Sequence, residues 1–506
     1  MSRMINPPRR HPGAALLAVC LAAAAMPLTF TGTAVALPAI ARDLSGSPVA
    51  LAWVTNAFML TFGACLMAAG ALADAHGRRR VFLAGTGGFT LASAAAGLAP
   101  DILTLDLARA AQGLAAAAAF SGGMAALAQT VEGPARLRAF SLVGTAFGVG
   151  LAFGPIASGA IIDAAGWRMI FALVAALGLA ACLAGARALT ESRDPAATGL
   201  DRPGAVAFTL ALTLLTFATL QGPESGWDDP LVILLLAGAL LGFHAFIRIE
   251  RRQARPMLDL SLFRNPRFAG VQLLAAAPAY GFVVLLVLLP VRFAGLDGMT
   301  ATEAGGMMIA LSAPLLVVPL LAGRAARWIS PARLCGGGLV INAAGLAWAA
   351  LLPADAAPQA LIGPLVTIGI GIGLPWGLMD GLAVSVVASD RAGMATGIFS
   401  TIRVAGEGIA LAVVGALLSG LTLAQLAGAG PMDATRLAAR RLVAGDAAAA
   451  GAALPALDHA ALLAHFDTAF DLLLLILAAV TLATALVVFL MLGRGGKRAA
   501  ACASGI

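Results

Sequence analysis

Fourteen apolar stretches, each about as long as a bilayer is thick, constrain this chain more than any single motif does. They lie near residues 14–40, 50–72, 81–99, 104–130, 138–163, 168–190, 204–222, 230–248, 268–292, 304–324, 333–352, 359–388, 394–422 and 467–492. None alternates polar and apolar residues with period two, so they read as membrane helices and not as barrel strands. With 60% apolar and 11% charged residues, 506 residues cannot bury their apolar surface in water. The expected fold class is therefore an all-α polytopic membrane protein. A net charge of +7 could suggest a nucleic-acid partner, but the cations sit singly or in short groups between the apolar runs, so membrane topology explains them and no nucleic acid is expected. The five cysteines (Cys20, Cys65, Cys182, Cys335, Cys502) lie far apart, and neither a disulfide framework nor a metal site is expected.

Arg3, Arg9 and Arg10, followed by an Ala/Leu-rich run and Ala34-Val35-Ala36, imitate a cleaved signal peptide. The run continues to Ile40 and is the first of many, so it reads as a retained first span. Arg78–Arg80, Arg136, Arg138, Arg187, Arg193, Arg202, the 248–267 loop, Arg324, Arg327, Arg333, Arg391 and the 494–498 tail fall on one side when spans are counted along the chain. By the positive-inside rule that side is cytosolic, as are both termini. Arg42, Arg168 and Arg292 fall opposite, where Glu224, Asp228, Asp229 and Asp355 have no cation in their own loops. Residues 423–466 form one long outside loop bearing Arg436, Arg440 and Arg441, with an Ala/Gly-rich composition that promises no core. Six spans, two linking spans and six more divide the chain into 1–190, 191–267 and 268–506. Gly323-Arg324 and Arg327 occupy in the last part the place that the Gly70–Arg80 stretch holds in the first.

That stretch, Gly70-Ala-Leu72-Ala-Asp74-Ala-His-Gly77-Arg78-Arg79-Arg80, resembles the G-x-L-a-D-r-x-G-r-r loop of the major facilitator superfamily. Its spacing has a physical logic: Gly70 lets two helix ends approach, Asp74 caps a helix or pairs with an arginine, and Gly77 turns the chain before three cations. A plain basic turn after a membrane helix is the competing reading. Leu105-x-x-x-Arg109-x-x-Gln112-Gly113 is similar to the superfamily's L-x-x-x-R-x-x-q-G pattern, and Gly150-x-x-x-Gly154-Pro155-x-x-Ser158-Gly159 resembles its antiporter motif. Gly166-Trp167-Arg168, Gly222 to Trp227, and Pro256-Met257-Leu-Asp259 leading to Asn265 resemble the fourteen-span drug:proton antiporters of that superfamily. The resemblance implies two six-helix halves plus two linking helices, and a monomer in membrane lipid. It further implies a small-molecule substrate exchanged for protons, with no cofactor.

Departures from the pattern bear on the substrate. That family's first span reads L-D-x-T-x-x-N-V-A-L-P, whereas Leu28-Thr29-Phe30-Thr31-Gly32-Thr33-Ala34-Val35-Ala36-Leu37-Pro38 puts Thr29 where the acid belongs. A buried carboxylate is the simplest device for binding a lipophilic cation and exchanging it against a proton, so its loss questions cationic substrates. Thr29, Thr31, Thr33 and Gln112 remain candidate substrate contacts. The resemblance implies a proton-linked role for Arg109, against the alternative that it snorkels or pairs with Asp106 at i−3. Gly150, Gly154, Pro155 and Gly159 either pack helices or hinge a proline-bent span, and the two overlap.

Asp380 and Glu407 are acids within later spans, functional candidates by default because ionisable groups at membrane depth are expensive. Arg403 lies at i−4 from Glu407, where an ion pair on one helix face is the competing, purely structural reading. The only lysine is Lys497, so no phosphate-binding G-x-x-x-x-G-K-[ST] loop exists, and no H-E-x-x-H or G-x-S-x-G element appears. No enzyme chemistry is visible, leaving a proton gradient as the natural driver. The expected function is proton-coupled efflux of small lipophilic compounds. Export of a specific metabolite or lipid on the same scaffold, and a transport-dead receptor, are the alternatives.

Overall fold

The computed structural model describes residues 12–130, 133–193, 201–253, 258, 260–353, 356–387 and 392–493. Arg3, Arg9, Arg10, Pro256, Met257, Asp259, Asp355, Arg391, Lys497, Arg498 and Cys502 lie outside them, as do the side chains of Arg136, Arg138 and Glu224.

The described chain is helical: α1 (Pro12–Leu44), α2 (Pro48–His76), α3 (Arg78–Gly97), α4 (Ile102–Thr130), α5 (Gly133–Ala165), α6 (Arg168–Ala188), α7 (Arg202–Ser225) and α8 (Pro230–Arg252). There follow α9 (Pro266–Pro278), joined by a π turn over Ala279–Val283 to α10 (Leu285–Gly295), then α11 (Ala301–Ser312) and α12 (Pro314–Ala325). The series ends with α13 (Pro331–Ala350), α14 (Ile362–Ser385), α15 (Ala392–Gln425), α16 (Met432–Val443), α17 (Ala447–Ala453) and α18 (His459–Gly493). Among the described residues eleven segments are long and apolar enough to cross a membrane, or twelve if α5, bent by 41° between Leu151 and Phe153, counts as one. The pairs α9–α10 and α11–α12 each make a single such segment, 266–295 and 301–325. The 20-residue helices α3 and α13 are not among them, since both are rich in Gly and Ala and begin with or near arginine.

Short polar–proline pairs set where several helices begin. Ser47-Pro48, Asp229-Pro230 and Asn265-Pro266 each supply a side-chain oxygen that accepts a backbone N–H of the first turn, with proline placed where no donor is needed. Thr300 and Glu303 form a reciprocal capping box at α11. The α5 bend has a local cause: the Pro155 ring clashes with the carbonyl of residue 151 and removes one hydrogen bond.

Lipid offers no hydrophobic drive between helices, so small residues set their approach. A Cβ on Gly85 would fall against the Ala119 backbone, and one on Gly371 would come within 2.7 Å of Asn342 Cα. In this way α3 seats on α4 and α13 on α14. Helices α1–α6 pack among themselves, as do α9–α14 with α15 and α18, while α7 and α8 pair and rest on α2 and α15. The two groups meet along α5–α11, α2–α15 and α1–α10. One end of the bundle carries the turn at Gly77, the other the turn at Gly166.

The expectation for 423–466 needs correction. Helix α15 runs on to Gln425, α18 begins at His459, and between them α16 and α17 fold onto the Gly166 end of the bundle. Thr435, Ala438, Ala439 and Leu442 form one buried face of α16 at i, i+3, i+4, i+7 spacing, and Gly445 lies against the Gly295 backbone.

Candidate functional site

Arg109 on α4 is fully buried, and its partners come from three other helices as well as its own. Its Nε donates to the Val54 carbonyl of α2 at 2.9 Å, and Nη1 donates to Thr29 Oγ1 of α1 at 3.1 Å and to Gln112 Oε1. Gln112 Nε2 donates to Ser93 Oγ of α3 at 2.7 Å and to Thr29 Oγ1 at 3.2 Å. The guanidinium lies 4.6 Å from the Phe58 ring centre and 5.9 Å from that of Phe171, so aromatic faces supply part of its compensation. Among the described residues no carboxylate comes within 4 Å of it, and Nη2 has no hydrogen-bond partner. The expected alternatives therefore both fail: Arg109 neither snorkels nor pairs closely with Asp106, whose Oδ1 is itself buried without a partner.

Thr29, standing where the family's acid would be, accepts from both Arg109 and Gln112. Thr31 and Thr33 are also fully buried, but their hydroxyls donate to the carbonyls of Pro27 and Thr29 on their own helix and are not presented to a ligand. Ser158, which replaces a motif glycine, fits because Gly32 opposite has no side chain; a Cβ on Gly32 would fall on Ser158 Oγ.

The motif glycines of α5 divide by partner. Gly150 and Gly154 seat α5 on α1, where a Cβ would come within 2.7 Å of Pro27 Cγ and 3.3 Å of Leu28 Cα respectively. Gly159 faces α11 across the seam between the two helix groups, where a Cβ would lie 2.7 Å from the Ala301 carbonyl carbon and 2.9 Å from Thr302 Cα. Gly305 of α11 answers it, lying against Pro155 and Ile156, and Asp163 Oδ2 accepts the Thr302 N–H at 2.9 Å beside them.

At the other end, Asp74 Oδ1 accepts two hydrogen bonds from Arg78, 2.9 and 2.7 Å long. Of the two expected roles for Asp74, pairing is the one observed. Gly77 has φ +115°, a region favouring glycine, and the segment after α6 lies on this turn. Arg78 N–H donates to the Ser192 carbonyl at 2.9 Å, and Arg79 N–H donates to Glu191 Oε1 at 3.2 Å. Arg80 lies 3.6 Å from the other Glu191 oxygen. Gly70, expected at a close approach, has open space where its Cβ would be.

In the second group the competing reading, an ion pair between Arg403 and Glu407, is not the contact formed. Arg403 reaches across to Asp380 of α14 at 3.5 Å, not along its own helix to Glu407. Asp380 is 64% exposed at its side chain, so this pair is largely solvated. Glu407 is 6% exposed and has neither a hydrogen bond nor an ion pair within 4 Å among the described residues. Its helix packs on α2: a Cβ on Gly63 would lie 2.6 Å from Ala405 Cα, and one on Gly408 would lie 3.3 Å from Met59 Cβ.

Sequence reasoning missed a second charged cluster. Arg292 of α10 lies 2.8 Å from Asp467 of α18 and 3.7 Å from Asp297, with Asp471 nearby and the Phe470 ring centre at 5.0 Å. It borders a cavity of ≈ 180 Å³ at the Gly166 end. In the first group Asp43 of α1 pairs with Arg168 of α6, the same helix positions with the charges exchanged. Pseudo-equivalence of the two groups would have pointed to the second pair from the first. The described cysteines Cys20, Cys65, Cys182 and Cys335 are free.

These buried ionisable groups inside a bundle of membrane-length helices define a polytopic helical membrane protein with polar sites at depth. The sequence profile of the Major Facilitator Superfamily matches residues 19–411, and the chain belongs to that superfamily. It is 33% identical over 420 residues to the protein named Probable actinorhodin transporter of Streptomyces coelicolor, covering 80% of this chain and 72% of that one. It is 33% identical to Multidrug resistance protein Stp of Mycobacterium tuberculosis (76% and 72% covered) and 35% identical to Cephamycin export protein CmcT of Amycolatopsis lactamdurans (75% and 79% covered). The fold is similar to that of a crystallised bacterial homolog of the human lysosomal transporter Spinster, with a TM-score of 0.63 at 16% identity, covering 96% of this chain and 98% of that one.

Proposed function

We propose that this protein is a secondary active transporter of fourteen spans that exports small, largely apolar compounds across the cytoplasmic membrane in exchange for protons. Helices α3 and α13 complete the fourteen, packed between longer neighbours that shield their few polar residues. Residues 1–190 and 268–506 are the halves that rock against each other, and 191–267 links them. The Gly77 end faces the cytosol because it gathers Arg78–Arg80, Arg187, Arg193, Arg202, Arg248, Arg251, Arg252, Arg264, Arg267, Arg324, Arg327 and Arg333. The protein works as a monomer in lipid.

One observation carries the proton coupling: Glu407, buried at mid-helix on the seam with α2, makes no hydrogen bond and no ion pair within 4 Å among the described residues, and Arg403 one turn away acts on it only at longer range. An acid kept at such cost and left unpaired is suited to taking up and releasing a proton as the halves rock. Arg109 supplies a fixed charge across the seam, while Asp380 and Arg403 tie α14 to α15. The names of the relatives support efflux. Names tied to one compound, such as the actinorhodin transporter and the cephamycin export protein, favour a narrower second reading, export of a specific metabolite.

The test is ethidium and neutral-dye efflux from an efflux-deficient host, with and without a protonophore. Energised efflux of several dyes that collapses with the gradient is expected. Efflux indifferent to the protonophore refutes proton coupling, and failure to move any dye leaves the single-metabolite reading.

A further inference from the structure

A second cavity, ≈ 130 Å³, lies at the Gly166 end where α1, α2, α7, α10 and α15 converge, with α16 as its outer wall. Its surface is Leu, Val, Ala, Pro and Gly, broken by Thr55, Asn56, Thr219 and Ser419, and among the described residues the one charged side chain lining it is Arg440 of α16. Among the described residues no carboxylate lines it, so they offer an ammonium group no compensating charge. Asn56 is 2% exposed; its Nδ2 donates to the Ala52 carbonyl at 2.9 Å, whereas its Oδ1 has no partner. A buried acceptor left unmade costs about 1–3 kcal/mol, which a ligand donor would recover. For size, an apolar cavity of roughly 150 Å³ holds one benzene.

We propose that this cavity binds an uncharged, ring-sized apolar group bearing one O–H or N–H donor, accepted by Asn56 Oδ1. Its place on the substrate's path rests on the efflux reading above; binding itself does not. The α15 wall, Leu411, Gly415 and Ser419, continues at four-residue steps the helix face that carries Glu407, so the cavity stands one turn beyond that acid. The group seated here would be the substrate's own ring at the last station before α16 moves aside.

Gly415 gives a clean perturbation, because it lines the cavity and a Cβ there meets nothing within 4 Å. Gly415→Leu puts an isobutyl group on this wall, starting from a Cβ position with no neighbour within 4 Å. Purified full-length protein in lipid nanodiscs is titrated with phenol and with anisole, which keeps the ring and lacks the donor, by saturation-transfer NMR against empty nanodiscs. Phenol should bind about tenfold tighter than anisole, Asn56→Leu should remove that preference, and Gly415→Leu should abolish binding of both. Equal binding of phenol and anisole to the wild type, or phenol binding unchanged in Gly415→Leu, overturns the site. Loss of phenol binding in Gly415→Leu with dye efflux unaltered overturns its place on the path. Intact phenol selectivity in a wild type that moves no dye overturns the multi-compound efflux reading and leaves the site standing.

Discussion

Gly159→Ala tests how the seam between the helix groups controls access. A Cβ added there would fall on the Ala301 carbonyl oxygen and lie 2.7 Å from its carbon, against an optimal carbon–carbon separation of about 3.5 Å, so α5 and α11 must part by on the order of 1 Å. Nothing near the clash is a flexible side-chain end; the neighbours are the backbone of Ala301 and Thr302. Overpacking of this kind costs about 1–3 kcal/mol. The cost falls only on the state in which the Gly166 ends touch, because opening there separates the surfaces. A penalty of 1–2 kcal/mol moves the closed-to-open ratio by about five- to thirtyfold. Gly148, on the same helix with open space at its Cβ position, supplies the control Gly148→Ala. The assay is double electron–electron resonance between spin labels at Ala165 and Leu351, both exposed at this end. The distance distribution should gain a longer population in Gly159→Ala and not in Gly148→Ala, with slower dye efflux in the first alone. An unchanged distribution in Gly159→Ala would refute the reasoning.

Asp74→Asn removes the charge from a doubly hydrogen-bonded partner of Arg78 and should cut efflux at least tenfold at unchanged membrane level; wild-type efflux would return the loop to a plain basic turn. Glu407→Gln, which keeps shape but cannot ionise, should abolish substrate-induced proton release in proteoliposomes while substrate still binds, with a weaker effect from the exposed Asp380→Asn; normal stoichiometry in Glu407→Gln counts against the assignment. Reporter fusions after residues 255, 390 and 498 should report cytosol and those near 228 and 445 the outside, and an outside C-terminus would break the even span count. In the connector after α10, burial raises the Asp297 carboxyl above its ordinary range, with Arg292 opposing and Asp467 adding to the shift. The native state therefore holds that proton to higher pH than the unfolded chain does, so its contribution to stability is full below the unfolded pKa and is lost as pH rises through the folded one. Asp297→Asn should flatten the fall of Tm across that window; a slope as steep as the wild type's would contradict this.

Helix existence was legible because the bilayer demands runs of fixed length, and each segment of membrane length covers most of an apolar run read from the sequence. The ends were less legible: α2, α8 and α9 start at Ser47-Pro48, Asp229-Pro230 and Asn265-Pro266, signals that lie outside hydropathy. Composition hid α16, since Ala and Gly promise little core, although the spacing of Thr435, Ala438, Ala439 and Leu442 carried the helical period. At the site, the replacement of an acid by Thr29 was visible from the motif, whereas its bonds to Arg109 and Gln112 depend on how α1 and α4 cross. The partner of Arg403 was not legible, because i−4 spacing makes a contact with Glu407 possible without making it preferred. Asp380 competes from another helix, and only the packing of α14 on α15 decides between them.

Helix α2 connects the parts that transport would have to couple. Its Val54 carbonyl accepts from Arg109, its Thr55 and Asn56 line the apolar cavity, and its Met59–Gly63 stretch packs on the helix turn that carries Glu407. At 1.5 Å per residue these points span roughly 14 Å of one rigid element. Its far end is the Gly70–Arg80 loop, where Asp74 holds Arg78. A shift of α2 against α15 would therefore act at once on the carboxyl, the cavity and the loop, while Arg109, bonded to α1 and α2 together, keeps the first half moving as a body. In α1 the motif position that carries an acid in the family is Thr29, so no carboxyl there takes up a proton. The charge that changes would then sit on α15, on the other side of the seam, where gaining or losing it alters the cost of burying Glu407 against α2 and so biases which end is open.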